Sequence, residues 1–346
     1  MSAPTMTPAN ARARRGLVRT VARFREAGIL LVLAGLGLFT ALQNGQFLSL
    51  DNQRGVALDV TILIVVAIGE TVVILTRNID ISVSSTLGFT ALAVGVIVKD
   101  HSGVPVEIAL LLGAGIGLLF GLGNGLLVAY GGVPSIIATL GTFGIYRGLV
   151  FVYSSVTKQP EITAADLPSS FLGLATNTVL GIPVFLITPV VLGAIAAYWL
   201  RHTRGGREVY AVGGNPTAAR LAGVNTARVA LLAFALSGAL AGVGGVLYTA
   251  RYAQVDTLAG SGLELNAIAA VVIGGVSTLG GVGGITGTLI GCVLLGEINN
   301  ALILLSGPGT AQFWQRAVYG AIILGAVVVD ALVSRRLQRS LQRRRL

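Results

Sequence analysis

Charge is what this sequence has least of. Only 11% of its 346 residues are Asp, Glu, Lys or Arg, whereas a soluble domain carries about 25%. Hydrophobic residues make up 54%, and mean hydropathy is +0.83. Cysteine is almost absent. Cys292 stands alone inside an apolar run, which excludes a disulfide framework, a CxxC pair or a thiolate metal site within one chain. The two histidines, His101 and His202, fall on opposite sides of the membrane expected below, so they cannot share a metal. There is no HExxH, no GxSxG on a strand-to-helix elbow and no GxxxxGK[ST] phosphate loop. These absences leave no soluble-enzyme chemistry, no metal site and no cofactor of the chain's own. If the chain moves a solute with ATP, another polypeptide must hydrolyse it.

What is present is oil, in runs of the roughly 20 residues that cross a bilayer. The net charge of +10 resides mostly between and beyond these runs. Arg12, Arg14, Arg15, Arg19, Arg23 and Arg25 crowd the N-terminus, and "RRLQRSLQRRRL" ends the chain. Such clusters beside apolar spans mark cytoplasmic ends. They lack the interleaved aromatics that stack bases, so nucleic acid is excluded as a partner. The first apolar run follows an Arg-rich segment without a small-residue cleavage site, and reads as a retained helix.

Hydropathy and breaker residues predict an all-α, polytopic transmembrane bundle of about ten spans. They are 27–43, 56–76, 82–98, 106–130, 134–155, 180–200, 227–250, 264–279, 282–304 and 314–334. The organisation is therefore a basic tail over 1–26, a membrane domain over 27–334 and a second basic tail over 335–346. "YGGVPS" (130–135) and "LGGVGG" (279–284) supply sharp reversals. With the N-terminus inside, eighteen basic residues lie on inner segments and five on outer ones. That bias places both termini in the cytoplasm. The longest outer loop, about 157–179, is large enough to receive an external partner.

Lipid gives helices no hydrophobic reason to associate, so small residues must let their backbones approach. Gly113, Gly117, Gly121 and Gly125 recur every four residues; Gly238 and Gly242 repeat the spacing, as do Gly283, Gly287 and Gly291. These seams either hold the bundle together or let its helices slide.

Ionisable and amide side chains in spans are costly. Glu70 and Asn124 lie at similar depths from the inner end, close enough for a hydrogen bond between them. Arg147 lies near the middle of its span, and Glu297, Asn299 and Asn300 lie in the outer half of theirs. "TRNIDIS" packs Arg77, Asn78 and Asp80 between two spans, with Asp80 as a cap on the following helix. Glu70, Asn78, Asp80, Asn124, Arg147, Glu297 and Asn300 are candidates either for satisfied interhelical bonds or for lining a solute path.

One polar stretch interrupts the oil on the inner side: "GREVYAVGGNPTAARLAGVN", Gly206 to Asn225. Asn215 can cap a helix, Pro216 fits its first position and Gly223 can end it. The helix between, "TAARLA", is too short to persist unaided in water. Arg220 and Leu221 offer a charge and an apolar anchor. It is either an ordinary interfacial helix or the docking helix of a cytoplasmic motor.

"GREVYAVGGNPTAARLAGVN" followed by "ELNAIAAVVIGGVSTLGGVGGITGTLIG" (Glu264 to Gly291) resembles the permease subunits of bacterial ABC importers for ribose, xylose, rhamnose and autoinducer-2. "VILTRNIDISVSS" and "IIATLGTFGIYRG" match further stretches of that family, and the likeness covers about residues 56–334. It departs from the common family pattern at Ser84 and Glu70. The resemblance implies a bacterial inner-membrane protein working with a second permease subunit. It also implies a cytoplasmic ATPase that binds ATP and Mg, and a periplasmic or lipid-anchored solute-binding protein. It places Gly206, Arg207, Asn215, Pro216, Ala219, Arg220, Leu221 and Gly223 in a coupling segment spanning 201–226. The cargo it implies is a sugar or sugar-like solute. A branched-chain amino acid permease of similar architecture and an ion-coupled secondary transporter stand as alternatives.

Overall fold

The structure is a computed structural model describing residues 27–179, 182–307, 309–311, 313–315, 317–322, 324, 325 and 328. The expected basic tails, Arg316 and the end of the last expected span lie outside the described residues.

The first expected span forms α1 (Ala27–Gln43). It is followed by α2 (Leu50–Leu75), α3 (Val83–Asp100), α4 (Val106–Ala129), α5 (Ser135–Thr157) and α6 (Ser169–Thr176). The second half continues with α7 (Val184–His202), α8 (Arg204–Gly214), α9 (Pro216–Leu221), α10 (Thr226–Tyr252), α11 (Leu263–Ile273) and α12 (Ile285–Ser306). Seven of these helices are long and apolar enough to cross a membrane: α2, α3, α4, α5, α7, α10 and α12.

Helices α2, α3 and α10 form the centre. They are apolar on every side and buried along most of their length, as expected of helices surrounded by protein. Helices α4, α5 and α7 ring them and turn large apolar side chains outward, among them Leu111, Leu119, Ile137 and Val190. Such an outer surface suits lipid.

The glycine seams determine how closely these layers approach. Gly113, Gly117 and Gly121 of α4 face Gly238 and Gly242 of α10, so two of the motifs read separately in the sequence form one interface. A Cβ on Gly117 would overlap the Gly238 carbonyl, and one on Gly242 would overlap the Gly113 carbonyl. Gly125 extends the contact to Leu231. The third motif is a different seam: Gly287 and Gly291 of α12 rest on Gly274 and Ala270, and Gly283 rests on Val276.

One expected span needs correction. The span expected over 264–279 is helical only to Ile273, a rise of about 16 Å at 1.5 Å per residue. Close packing of Gly274 on Gly287 and the positive φ of Gly275 end the helix there. The backbone that follows is irregular and buried over 274–277, where such backbone is tolerated. The long outer loop carries secondary structure of its own. Its β1 strand (Glu161–Ile162) pairs antiparallel with β4 (Val255–Asp256), and it contains α6 and a small hairpin of β2 (Thr178–Val179) with β3 (Ile182–Pro183). The stretch "RGGREVYAVGG" forms the complete helix α8.

Candidate functional site

At one end of the bundle the chain leaves α7 and makes an elbow from α8 and α9. Thr203 begins α8: its hydroxyl accepts the Gly206 amide at 3.2 Å and donates to the Trp199 carbonyl at 2.8 Å. Gly206 is buried against the Trp199 and Leu200 backbone, whereas Arg207 is exposed and reaches the His202 carbonyl. Val209 and Val212 point inward, and the Tyr210 hydroxyl donates to the Gly283 carbonyl at 2.9 Å. One face of α8 is therefore fastened to the loop preceding α12.

The end of α8 meets the end of α2. Gly213 packs so closely on the Leu75 carbonyl and the Gly281 backbone that no Cβ fits, and the Gly281 amide donates to Leu75 at 3.0 Å. Arg77, at φ 68°, extends beneath this contact. Its Nη2 donates to the Gly214 carbonyl at 2.9 Å and its Nε to the Gly213 carbonyl. A guanidinium thus satisfies the free carbonyls at the end of α8, where positive charge is also favoured by the helix dipole.

Asn215 then starts α9, accepting the Ala218 amide at 3.1 Å, with Pro216 in the first turn. The helix closes with paired bonds, Val224 amide to Ala219 carbonyl and Gly223 amide to Arg220 carbonyl, both at 3.0 Å. Gly223 takes φ 82° to do so, the usual geometry of a glycine-terminated helix. Ala219 faces inward, while Arg220 is exposed and Leu221 is 87% exposed. An open cleft of about 640 Å³ lies between α9, the start of α10, the end of α4 and the 76–78 turn.

Above that turn lies a sealed polar cluster. Glu70 Oε1 accepts the Asp80 amide at 3.1 Å. Asp80 Oδ1 accepts from the Ser82 amide at 3.0 Å, the Ser82 hydroxyl at 2.7 Å and Asn124 Nδ2 at 3.4 Å. Asn124 also donates to Ser82 Oγ at 2.7 Å and accepts from the Tyr146 hydroxyl at 3.4 Å. The expected Glu70–Asn124 bond is replaced by bonds from Asn124 to the Asp80–Ser82 turn, which reaches between the two helices. Asp80 is not the cap expected for α3 either. Ser82 occupies the cap position and Asp80 organises the turn preceding it.

The candidates thus divide. Glu70, Asp80 and Asn124 come together, and Asn78 hydrogen-bonds Thr76 at the edge of the cleft. Arg147 lies elsewhere, donating to the carbonyls of Thr257, Ala259 and Ser84 at 3.2, 2.9 and 3.4 Å. Glu297 and Asn300 lie three residues apart and largely buried on α12, beside Gln53 of α2. Ser82 and Tyr146 in the cluster and Tyr210 at the elbow are not among the residues expected from the sequence. Arg77 was visible only as a basic residue in a short inner turn. Among the described residues, no three His, Cys, Asp or Glu side chains converge as a metal site.

Residues 54–327 match the family described as "Branched-chain amino acid transport system / permease component". Among similar proteins, the autoinducer 2 import system permease protein LsrC of Salmonella choleraesuis (strain SC-B67) is 36% identical over 95% of this chain and 92% of its own length. LsrC of Enterobacter sp. (strain 638) is 38% identical over 93% and 91%, and LsrC of Escherichia coli (strain K12 / DH10B) 35% over 95% and 93%. No solved structure matches. The chain is a multi-pass helical membrane protein and belongs to the branched-chain amino acid transport system permease family.

Proposed function

We propose that this chain is the transmembrane permease of an ABC importer for autoinducer-2 or a related sugar-like solute. The observation that carries the reading is the elbow. A six-residue helix, too short to hold itself, is capped at both ends, follows an α8 terminus braced by Arg77, and presents Arg220 and Leu221 outward. That arrangement suits an element held ready for a partner. Relatives covering nearly the whole chain are named as permeases of autoinducer 2 import systems, which favours this solute class over branched-chain amino acids.

In this reading both termini and the elbow face the cytoplasm, as the basic-residue bias requires, and the bundle sits in the inner membrane with about ten segments. A second permease completes the path. Separate ATPase subunits bind ATP and Mg and dock on α9, while a solute-binding protein meets the opposite end around β1, β4 and α6. Coupling residues are Gly206, Arg207, Asn215, Pro216, Ala219, Arg220, Leu221 and Gly223. Glu70, Asn78, Asp80 and Asn124 lie beside the path that opens above the elbow.

Movement of a docked motor is transmitted through α9 to Gly213 and Gly214, from them to Arg77, and from Arg77 to the 76–82 turn. Nucleotide drives uptake by favouring one arrangement of this unit over another. The test replaces Arg220 or Leu221 with Asp and measures uptake together with ATPase co-purification. Both should fall sharply. Normal values in both variants would overturn the docking role, and transport by this chain alone in ATP-free vesicles, abolished by a protonophore, would favour an ion-coupled carrier.

A further inference from the structure

Glu70 and Asp80 are 0% and 1% exposed, and they adjoin through the Asp80 amide. Their hydrogen bonding is unequal. Asp80 Oδ1 takes three donors, whereas Glu70 receives only the Asp80 backbone amide. Glu70 Oε2 and Asp80 Oδ2 are both sealed from solvent and accept no hydrogen bond.

A separate observation comes from α10. Ser237, 0% exposed, presents to Asp80 a hydroxyl without a well-formed hydrogen bond. The other groups facing the pair are Asn124 from α4, Tyr146 from α5 and Ser82 from the turn. Among the described residues no Lys or Arg faces either acid. Arg77 is committed to the end of α8, and Arg147 to three carbonyls.

Two adjacent carboxylates cannot both stay ionised in a sealed site without a counter-charge, because each loses its hydration and repels the other. The donors accumulate on Asp80, so the anion belongs there. We infer that the Glu70–Asp80 pair is a binding site for one proton, with Glu70 as the neutral acid and Asp80 as the anion. Binding adds a proton to the Glu70 carboxylate and leaves the pair with a single negative charge. The site is mechanically connected, since Asp80 lies on the turn that Arg77 ties to the elbow. Release of the proton would place two anions at that turn and drive it apart.

The test needs no transport assay and therefore stands or fails independently of the importer reading. Full-length wild-type protein and E70Q in lipid nanodiscs are compared by infrared difference spectroscopy and thermal unfolding across neutral to alkaline pH. At neutral pH the wild type should show a protonated carboxylic acid band that shifts in D2O and disappears on alkalinisation. The band should be absent from E70Q and retained in E297Q. The melting temperature should fall with rising pH in the wild type and stay level in E70Q. If E70Q does not fold, the wild-type band decides alone. Absence of the band at neutral pH would overturn the proposal. So would a wild-type melting temperature that rises when sodium replaces choline, since a metal cation would then neutralise the pair.

Discussion

Arg77 Nη2 lies 2.9 Å from the Gly214 carbonyl, joining the turn after α2 to the end of α8 across 137 residues of sequence. This bond and its neighbour to Gly213 connect the surface helix α9 with the buried Glu70–Asp80 cluster. Arg77→Ala should remove both and cost about 1.5–3 kcal/mol, the range for hydrogen bonds to charged groups. ATPase co-purification should persist while solute uptake falls, because docking survives and transmission does not. Arg77→Lys should rescue part of the uptake, since an ammonium keeps the charge but lacks the fork that spans two carbonyls.

The α4–α10 seam gives a contrast within one helix. Gly117→Leu places a side chain where the Gly238 carbonyl already lies, and overpacking of this kind costs about 1–3 kcal/mol or more. Gly115, two residues earlier, has open space around it. Gly115→Ala should therefore leave the melting temperature in nanodiscs unchanged, while Gly117→Leu lowers it or prevents recovery of folded protein.

Arg147 fastens the segment after β4 to α3 and α5 through backbone carbonyls alone. Arg147→Met keeps much of the bulk and removes the donors. Residues 253–262 should become the first site of limited proteolysis in the variant, whereas cleavage elsewhere should follow the wild-type pattern.

Asp166 supports the folded outer loop. Its carboxylate accepts the Thr163 amide at 2.9 Å and meets Lys99 Nζ at 2.9 Å. The Thr163 backbone bond, followed by the Lys99 and Thr163 side chains, pulls its pKa down to about 2. A lowered acid stabilises the folded form fully above the ordinary carboxylate range, near 3.9, and loses that contribution as pH falls towards 2. Hydrogen exchange in residues 158–168 should therefore rise between these limits in the wild type. In Asp166→Asn it should be faster at neutral pH and nearly level across that window.

Much of this was legible in the sequence because bilayer thickness and helix geometry leave few solutions. Nine expected spans correspond to described helices within several residues, and the α9 signals at Asn215, Pro216 and Gly223 are local chemistry that context did not override. The failures are those of tertiary context. Helix α8, on which the sequence carried no expectation, forms through a glycine-rich stretch because Val209, Val212 and Tyr210 find partners that propensity cannot foresee. Helix α11 stops early because Gly274 must admit Gly287. Asn124 turned to Asp80 and Ser82 rather than Glu70 because the 76–82 turn folds inward, a feature invisible to estimates of depth along separate helices. The two glycine motifs that face one another across α4 and α10 could be recognised singly but not paired.

The most direct measurement exploits the single native thiol. Cys292 is fully buried, so a cysteine introduced as L221C supplies the accessible thiol on α9. In inner-membrane vesicles of the assembled transporter, this thiol should cross-link to the ATPase subunit, with a yield that changes between nucleotide-free and ATP-bound states. Absence of a cross-link in every nucleotide state, together with labelling of the same thiol by an impermeant reagent added outside intact cells, would contradict the account.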